Sequence, residues 1–362
     1  MTLRLTAIEA HAEGEPGRVL VDVDHLVPGD SIAQRFAYAE QHLHWLRRLV
    51  LHEPRGYPGL CAVLTLTPSD PSADVAIIVM EQGAFTPMSG SNTMCSITGL
   101  LETGRIPMVE PVTTVTLETA VGLVQVQAEC ADGKVTSVTI ENVPAFAVHV
   151  GVPLEIPVDP RTEEGTTWGQ TRVVPVDVAF GGQFFVLARA EDLGVGLTPA
   201  DVPALQSVGA RLKLAVNRQY PVSHPLNPGI NSTNLVMITG PGDDRGADGN
   251  NAMVMATDRL RDDDPATWTG ALDRSPCGTG TCARMSVMHA RGELGLDQPY
   301  VHRGMLDTTF TGRLVGETTV GDYAAVLPTI TGRGWVTGQS EWVLDDSDPF
   351  PEGYTIGDIW PA

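Results

Sequence analysis

Hydrophobic residues fall mostly on alternate positions of this chain, the spacing that turns one face of a β-strand toward a core and the other away. The segments AVLTLTP near position 65, VAIIVME near 78, TTVTLETA and GLVQVQAE between 113 and 129, and VTSVTIENV from 135 all read as strands. Helical spacing is confined to short stretches. The two clearest are TMCSITGLLETG at 93–104 and TCARMSVMHARG at 281–292, each preceded by a small, Gly-rich turn and each ending on a glycine suited to a left-handed C-cap.

These two helices read as copies of one another. Ser89 aligns with Cys277, Gly90 with Gly278, Thr93 with Thr281 and Gly104 with Gly292, every pair 188 residues apart. A fainter echo precedes each copy: AHAEGEPGRVL at 10–20 and AFGGQFFVL at 179–187, both a small turn running into an apolar strand. The pattern predicts an internally duplicated α/β protein whose two similar halves meet at a cleft. The halves are placed at 1–165 and 166–339, with 340–362 rejoining the first, and the linker near Gly165 in the polar run DPRTEEGTTWGQTR. The stretches 241–251 (PGDDRGADGNN) and 258–270 (DRLRDDDPATWTG) read as exposed loops.

Length supports the division, since 362 residues exceed the roughly 250–300 at which a single core stops growing. A composition of 42% hydrophobic and 19% charged residues is that of an ordered globular chain. With 23 Lys and Arg against 44 Asp and Glu, the net charge of -21 repels phosphate backbones and anionic lipid, so neither nucleic acid nor a membrane surface is an expected partner. The N-terminus turns polar within ten residues and no run approaches 18 apolar residues, which reads as a soluble cytoplasmic protein. Five cysteines (Cys61, Cys95, Cys130, Cys277, Cys282), an odd number without a CxxC pair or clustered His, argue against a disulfide framework and a structural zinc site.

The chemistry concentrates where the copies begin. In SPCGTGT a thiol precedes a turn that opens a helix, so backbone N–H groups and the positive end of the helix dipole converge on Cys277. Such a place favours a thiolate and can also hold a carboxylate. A buried structural cysteine is the competing reading; the hydroxyl of Ser89 at the matching place in the first copy favours function. Two such groups facing one ligand from opposite sides are what a stereoinverting proton transfer needs, with no organic cofactor and no metal.

The segments PMSGSNT (87–93) and DRSPCGTGT (273–281) resemble the two catalytic motifs of the proline racemase family, in which each ordinarily begins Cys-Gly. The resemblance continues through AHAEGEPGRV, VAFGGQFF, SHPLNP, GRLVGETTVGDYAAVLPTITGRGWVTG and DPFPEGY, nearly the whole chain. It implies an α/β fold of the diaminopimelate epimerase-like type, each half a strand-rich half-barrel around a central helix. It also implies Ser89 and Cys277 as the acid/base pair, the amides of Gly90, Ser91, Gly278 and Thr279 on a substrate carboxylate, Asp273 on the ring nitrogen, and His224 of SHPLNP beside the pocket. A homodimer is the candidate assembly.

Two departures stand out. Ser89 replaces the usual first cysteine, and Ser91 stands where many racemases have histidine. A serine hydroxyl is a far poorer base than a thiolate. The expected activity is hydroxyproline 2-epimerisation or proline racemisation. The alternatives are trans-3-hydroxy-L-proline dehydration, which needs one base and a leaving hydroxyl, and a quiet imino-acid binding protein, against which the intact Cys277 and Asp273 argue. Among single residues, the competing readings are a helix cap or surface residue for Asp273, a polar strand end for His11, a turn residue for His224, and packing alone for Cys95 and Cys282.

Overall fold

A computed structural model describes residues 3–256, 259–357 and 359–360. The chain forms two compact units: the first runs to Glu141 and resumes over Thr331–Trp360, and the second holds Asn142–Ile330. Both are mixed α/β and rich in strand.

The first unit begins with the hairpin Leu3–Ala12 and Glu15–Val21. Helices α1 (Ile32–His42) and α2 (His44–Leu51) then carry the chain over to Cys61–Leu66, which lies parallel to Glu15–Val21 and antiparallel to Val75–Met80. Next come the short strand Phe85–Thr86 and helix α3 (Gly90–Glu102), after which Val112–Thr119 pairs parallel with Val75–Met80. Gly122–Ala131 and Lys134–Glu141 complete the meander.

The second unit repeats this order. Phe146–Pro157 leads into the hairpin Thr171–Phe180 and Phe184–Arg189. Helices α4 (Ala190–Leu193) and α5 (Val202–Gln219) cross over to Thr233–Pro241, parallel to Phe184–Arg189 and antiparallel to Gly249–Ala256. The short strand Gly270–Leu272 and helix α6 (Gly278–Ala290) follow, then Pro299–Arg303 pairs parallel with Gly249–Ala256. The duplication seen at two motifs thus extends to the connectivity of whole units.

The strands Cys61–Leu66, Val75–Met80 and Phe184–Arg189 are buried on both faces and read as nearly unbroken apolar runs, whereas Gly122–Ala131 and Lys134–Glu141 keep the alternation of strands with one face turned away from the core. Along Phe184–Arg189, Phe184, Val186 and Ala188 pack with Leu205, Val208 and Leu212 of α5, while Phe185 and Leu187 pack with Ala283 and Val287 of α6.

Three boundaries differ from expectation. The chain passes between units at Glu141/Asn142, not near Gly165, because Phe146–Pro157 is an antiparallel partner of Thr171–Phe180 and the polar run 158–170 is only their connection. That connection is fastened to α5: the Ser207 hydroxyl donates to Asp159 at 2.6 Å, and Arg211, buried, reaches the Pro157 carbonyl at 2.7 Å and the Glu163 carboxylate. The C-terminal return begins at Thr331 rather than 340, since Gly334–Leu344 pairs along its length with Leu3–Ala12.

Third, helices α3 and α6 start three residues earlier than their apolar spacing implies, at Gly90 and Gly278, and end at Glu102 and Ala290. Both starts and both ends keep the 188-residue offset. Each helix closes in the same way, the amides of Gly104 and Arg105 bonding the carbonyls of Leu101 and Leu100, and those of Gly292 and Glu293 bonding His289 and Met288. Both glycines sit at φ 73°, the left-handed conformation that makes this cap cheap for glycine.

Of the two stretches read as exposed loops, the first narrows to 242–248, its ends being strand. In the second, position 258 lies outside the described residues, and the rest is anchored by Trp268, buried against Ala210 and Ala256. No helix among the described residues is long and apolar enough to cross a membrane.

Candidate active site

Ser89 and Cys277 occupy the same place in the two units, the residue immediately before the first turn of α3 and of α6. The first amides of a helix have no partner within it, so Gly90 and Ser91 in one unit, and Gly278 and Thr279 in the other, present N–H groups at the position where a carboxylate is stabilised by the helix dipole. Ser91 and Thr279 are both buried. The structure thus brings Ser89, Gly90 and Ser91 together in the first unit, and Asp273, Cys277, Gly278 and Thr279 together in the second.

The backbone at the two positions is not alike. Ser89 is extended at φ -148°, whereas Cys277 sits at φ 61°, a conformation costing a non-glycine residue on the order of 1–3 kcal/mol. Surrounding hydrogen bonds hold it there. The Cys277 amide donates to Ser275 Oγ at 3.2 Å, and its carbonyl accepts from the Thr281 amide at 2.9 Å and the Thr281 hydroxyl at 2.7 Å. His302, fully buried, stands 2.9 Å behind that hydroxyl through Nδ1, and burial, with Arg284 nearby, lowers its pKa to about 3, so it is neutral.

Asp273 is buried and is not the cap of α6, a place Cys277 itself holds; its Oδ1 accepts from the Ser275 amide at 2.7 Å and the Ser275 hydroxyl at 2.8 Å. Its charge also acts on the Cys277 thiol. Burial first, and the Asp273 charge second, push that thiol well above its ordinary range, against the opposing influence of the Gly280 amide and the Thr279 hydroxyl. This corrects the expectation of a thiolate: the helix start alone favours the anion, but burial and Asp273 outweigh it, and Cys277 rests protonated.

At the first helix, Ser89 makes no capping bond to the helix amides. Its Oγ accepts instead from Asn92 Nδ2 at 3.0 Å and lies 3.5 Å from Ser91 Oγ. Cys95 and Cys282 are fully buried inside α3 and α6, and burial pushes the first thiol up and the second up to about 12, as suits packing residues. All five cysteines are free thiols.

His224 belongs to a turn. Its Nδ1 accepts from the amides of Leu226 and Asn227, and its ring packs on Phe180 and Phe146 at centroid distances of 4.7 and 5.7 Å. His11 stacks on Trp335 at 5.0 Å, accepts from the Gly14 amide, and lines a cavity of about 290 Å³ with Glu9, Tyr57 and Thr337. Asn92, Ser275, Thr281 and His302 were missed in the sequence. Asn92 and Thr281 follow the cap positions by three and four residues, a spacing that places a side chain back over the helix start; nothing in the sequence marks His302.

The proline racemase family model matches residues 7–355. A 4-hydroxyproline 2-epimerase of Streptosporangium roseum is 37% identical over 350 residues, spanning 97% of this chain and 98% of that one. A proline racemase of Clostridioides difficile is 33% identical over 352 residues, again 97% and 98% of the two chains. Among solved structures, a hydroxyproline epimerase from Agrobacterium vitis with bound trans-4-hydroxy-L-proline superposes with a TM-score of 0.86 at 35% identity, covering 99% of this chain and 96% of that one.

Fold and relatives together define an isomerase of the amino-acid racemase and epimerase class. The chain belongs to the proline racemase family.

Proposed function

We propose that the enzyme inverts the α carbon of a proline-type imino acid, with hydroxyproline as substrate in first place and proline in second, and that Cys277 and Ser89 are its proton-transfer pair. The observation that carries this reading is the matched position of the two side chains at helix starts 188 residues apart, beside amides suited to a carboxylate. As the α proton leaves, negative charge grows on the carboxylate, and the helix amides stabilise it where it grows. Asp273, buried next to Cys277, supplies a charge opposite the ring nitrogen. The relatives named for 4-hydroxyproline and proline support the substrate class.

Ser89 favours a second reading on the same scaffold, dehydration of trans-3-hydroxy-L-proline, because a hydroxyl is the weaker partner for reprotonation and elimination needs a single base. One experiment separates them. Each of trans-4-hydroxy-L-proline, L-proline and trans-3-hydroxy-L-proline is incubated with the enzyme in deuterated water and the α proton followed by NMR. Inverted, α-deuterated product supports the isomerase reading; loss of the 3-hydroxyl supports the dehydratase; an unchanged spectrum with all three contradicts both.

A further inference from the structure

A serine at the start of a helix ordinarily spends its hydroxyl oxygen on the amide two or three residues on. Ser89 does not. The oxygen is taken by the side chain of Asn92, whose Nδ2 donates to it at 3.0 Å. Asn92 is itself buried in the first turns of α3, and its Oδ1 lies against Gly17. The 188-residue offset places Gly280 at the matching position of α6. A Cβ there would stand 3.0 Å from Cys277 Sγ and 2.4 Å from Met237 Cε. The serine copy therefore carries a side-chain donor where the cysteine copy keeps space for sulfur.

From this asymmetry we infer that Asn92 is a positioning residue that makes Ser89 the proton donor of the pair; the inference rests on the reading of Ser89 and Cys277 as that pair. With one lone pair held by Asn92, the Ser89 O–H is left to point away from the amide. In the direction in which Cys277 acts as the base, its thiol first gives up its proton to water; the α C–H bond then breaks, a new S–H bond forms, and the electron pair stays on the substrate carbon and its carboxylate. The Ser89 O–H bond then breaks as a C–H bond forms on the opposite face. The resulting oxyanion, stabilised by the Asn92 N–H, regains a proton from water.

The test compares the parent with Ser89→Ala, Asn92→Ala and Asn92→Asp in deuterated water, starting from trans-4-hydroxy-L-proline and from its 2-epimer. Inversion is read by chiral chromatography and deuterium gained by unconverted substrate by NMR. Asn92→Asp keeps the shape and removes the donor, so it guards against a packing defect in Asn92→Ala. Both Asn92 variants are expected to lose at least about tenfold of inversion while deuterium uptake by the epimer facing Cys277 stays within about threefold of the parent. A structural role would lower inversion and uptake together, with or without a lower melting temperature, and that result overturns the inference, as does full inversion in Asn92→Asp. If Ser89→Ala itself inverts normally, the pair assignment falls first; if it loses inversion and Asn92→Asp does not, only the role of Asn92 falls.

Discussion

The charge of Asp273 acts on the Cys277 thiol and, after burial, does most to keep that thiol protonated. Replacing the carboxylate by an amide removes that opposition, so thiolate should form at lower pH in Asp273→Asn. Ultraviolet thiolate absorbance against pH, with Cys277→Ala as the blank, should show the rise displaced downward. Substrate affinity should also weaken, because the charge proposed to face the ring nitrogen is gone. An unmoved titration would detach Asp273 from the thiol.

His302 carries a pH dependence with a fixed sign. Its value in the folded protein is about 3 against an ordinary 6.5, because burial disfavours the cation. Below pH 6.5 the unfolded chain takes up a proton that the folded one refuses, so stability is highest above that pH and is lost on the way down toward 3. In His302→Gln the melting temperature should fall less steeply between pH 6.5 and the acid range. The slope should not vanish, because His52, lowered to about 4, acts in the same sense. An equal slope in parent and variant would contradict the burial of a neutral imidazole behind Thr281.

Gly181 is where the second hairpin meets the start of α6. A Cβ there would lie 2.2 Å from the Thr279 carbonyl oxygen and 2.5 Å from the Ala283 nitrogen, both backbone atoms. Gly181→Ala should cost about 1–3 kcal/mol of stability and, by displacing the amides at the helix start, lower kcat/KM further than the stability loss explains. Gly338→Ala, where nothing lies within 4 Å, is the control. Calorimetry and steady-state kinetics on the two variants check the difference.

Pyrrole-2-carboxylate is planar at the carbon that becomes planar when the α proton leaves, and it keeps the carboxylate that the helix amides would hold. It should compete with substrate and slow alkylation of Cys277. Millimolar compound with neither effect would count against a proline-type pocket.

Strand alternation made the α/β class legible in the sequence, and the 188-residue offset exposed the duplication, because Gly90/Gly278 and Gly104/Gly292 punctuate both helices alike. The unit boundary was not legible. The run 158–170 is polar enough to read as a linker, and only the pairing of Phe146–Pro157 with Thr171–Phe180, with the bonds of Asp159 and Glu163 to α5, shows it to be a connection within the second unit. Helix α5 is not legible either: 18 residues with Gly209 and several polar side chains, its helical stripe emerges only once the sheet it covers is known. The first turns of α3 and α6 were hidden because Gly, Ser and Thr spell a turn when read alone. At the candidate site, Ser89, Cys277 and Asp273 came from motif position, whereas Asn92 and His302 required the fold, since a hydrogen bond to a neighbouring hydroxyl leaves no pattern in the chain.

One proton-transfer group at each duplicated helix start makes both side chains indispensable to inversion, and single replacements at those starts separate their contributions. Parent, Ser89→Ala and Cys277→Ala are given trans-4-hydroxy-L-proline, and formation of the 2-epimer is timed by chiral chromatography at matched melting temperatures. Each replacement should remove at least about a hundredfold of inversion, the range general acid/base groups supply being about 10²–10⁴. Inversion at the parent rate in either variant would contradict the two-group account.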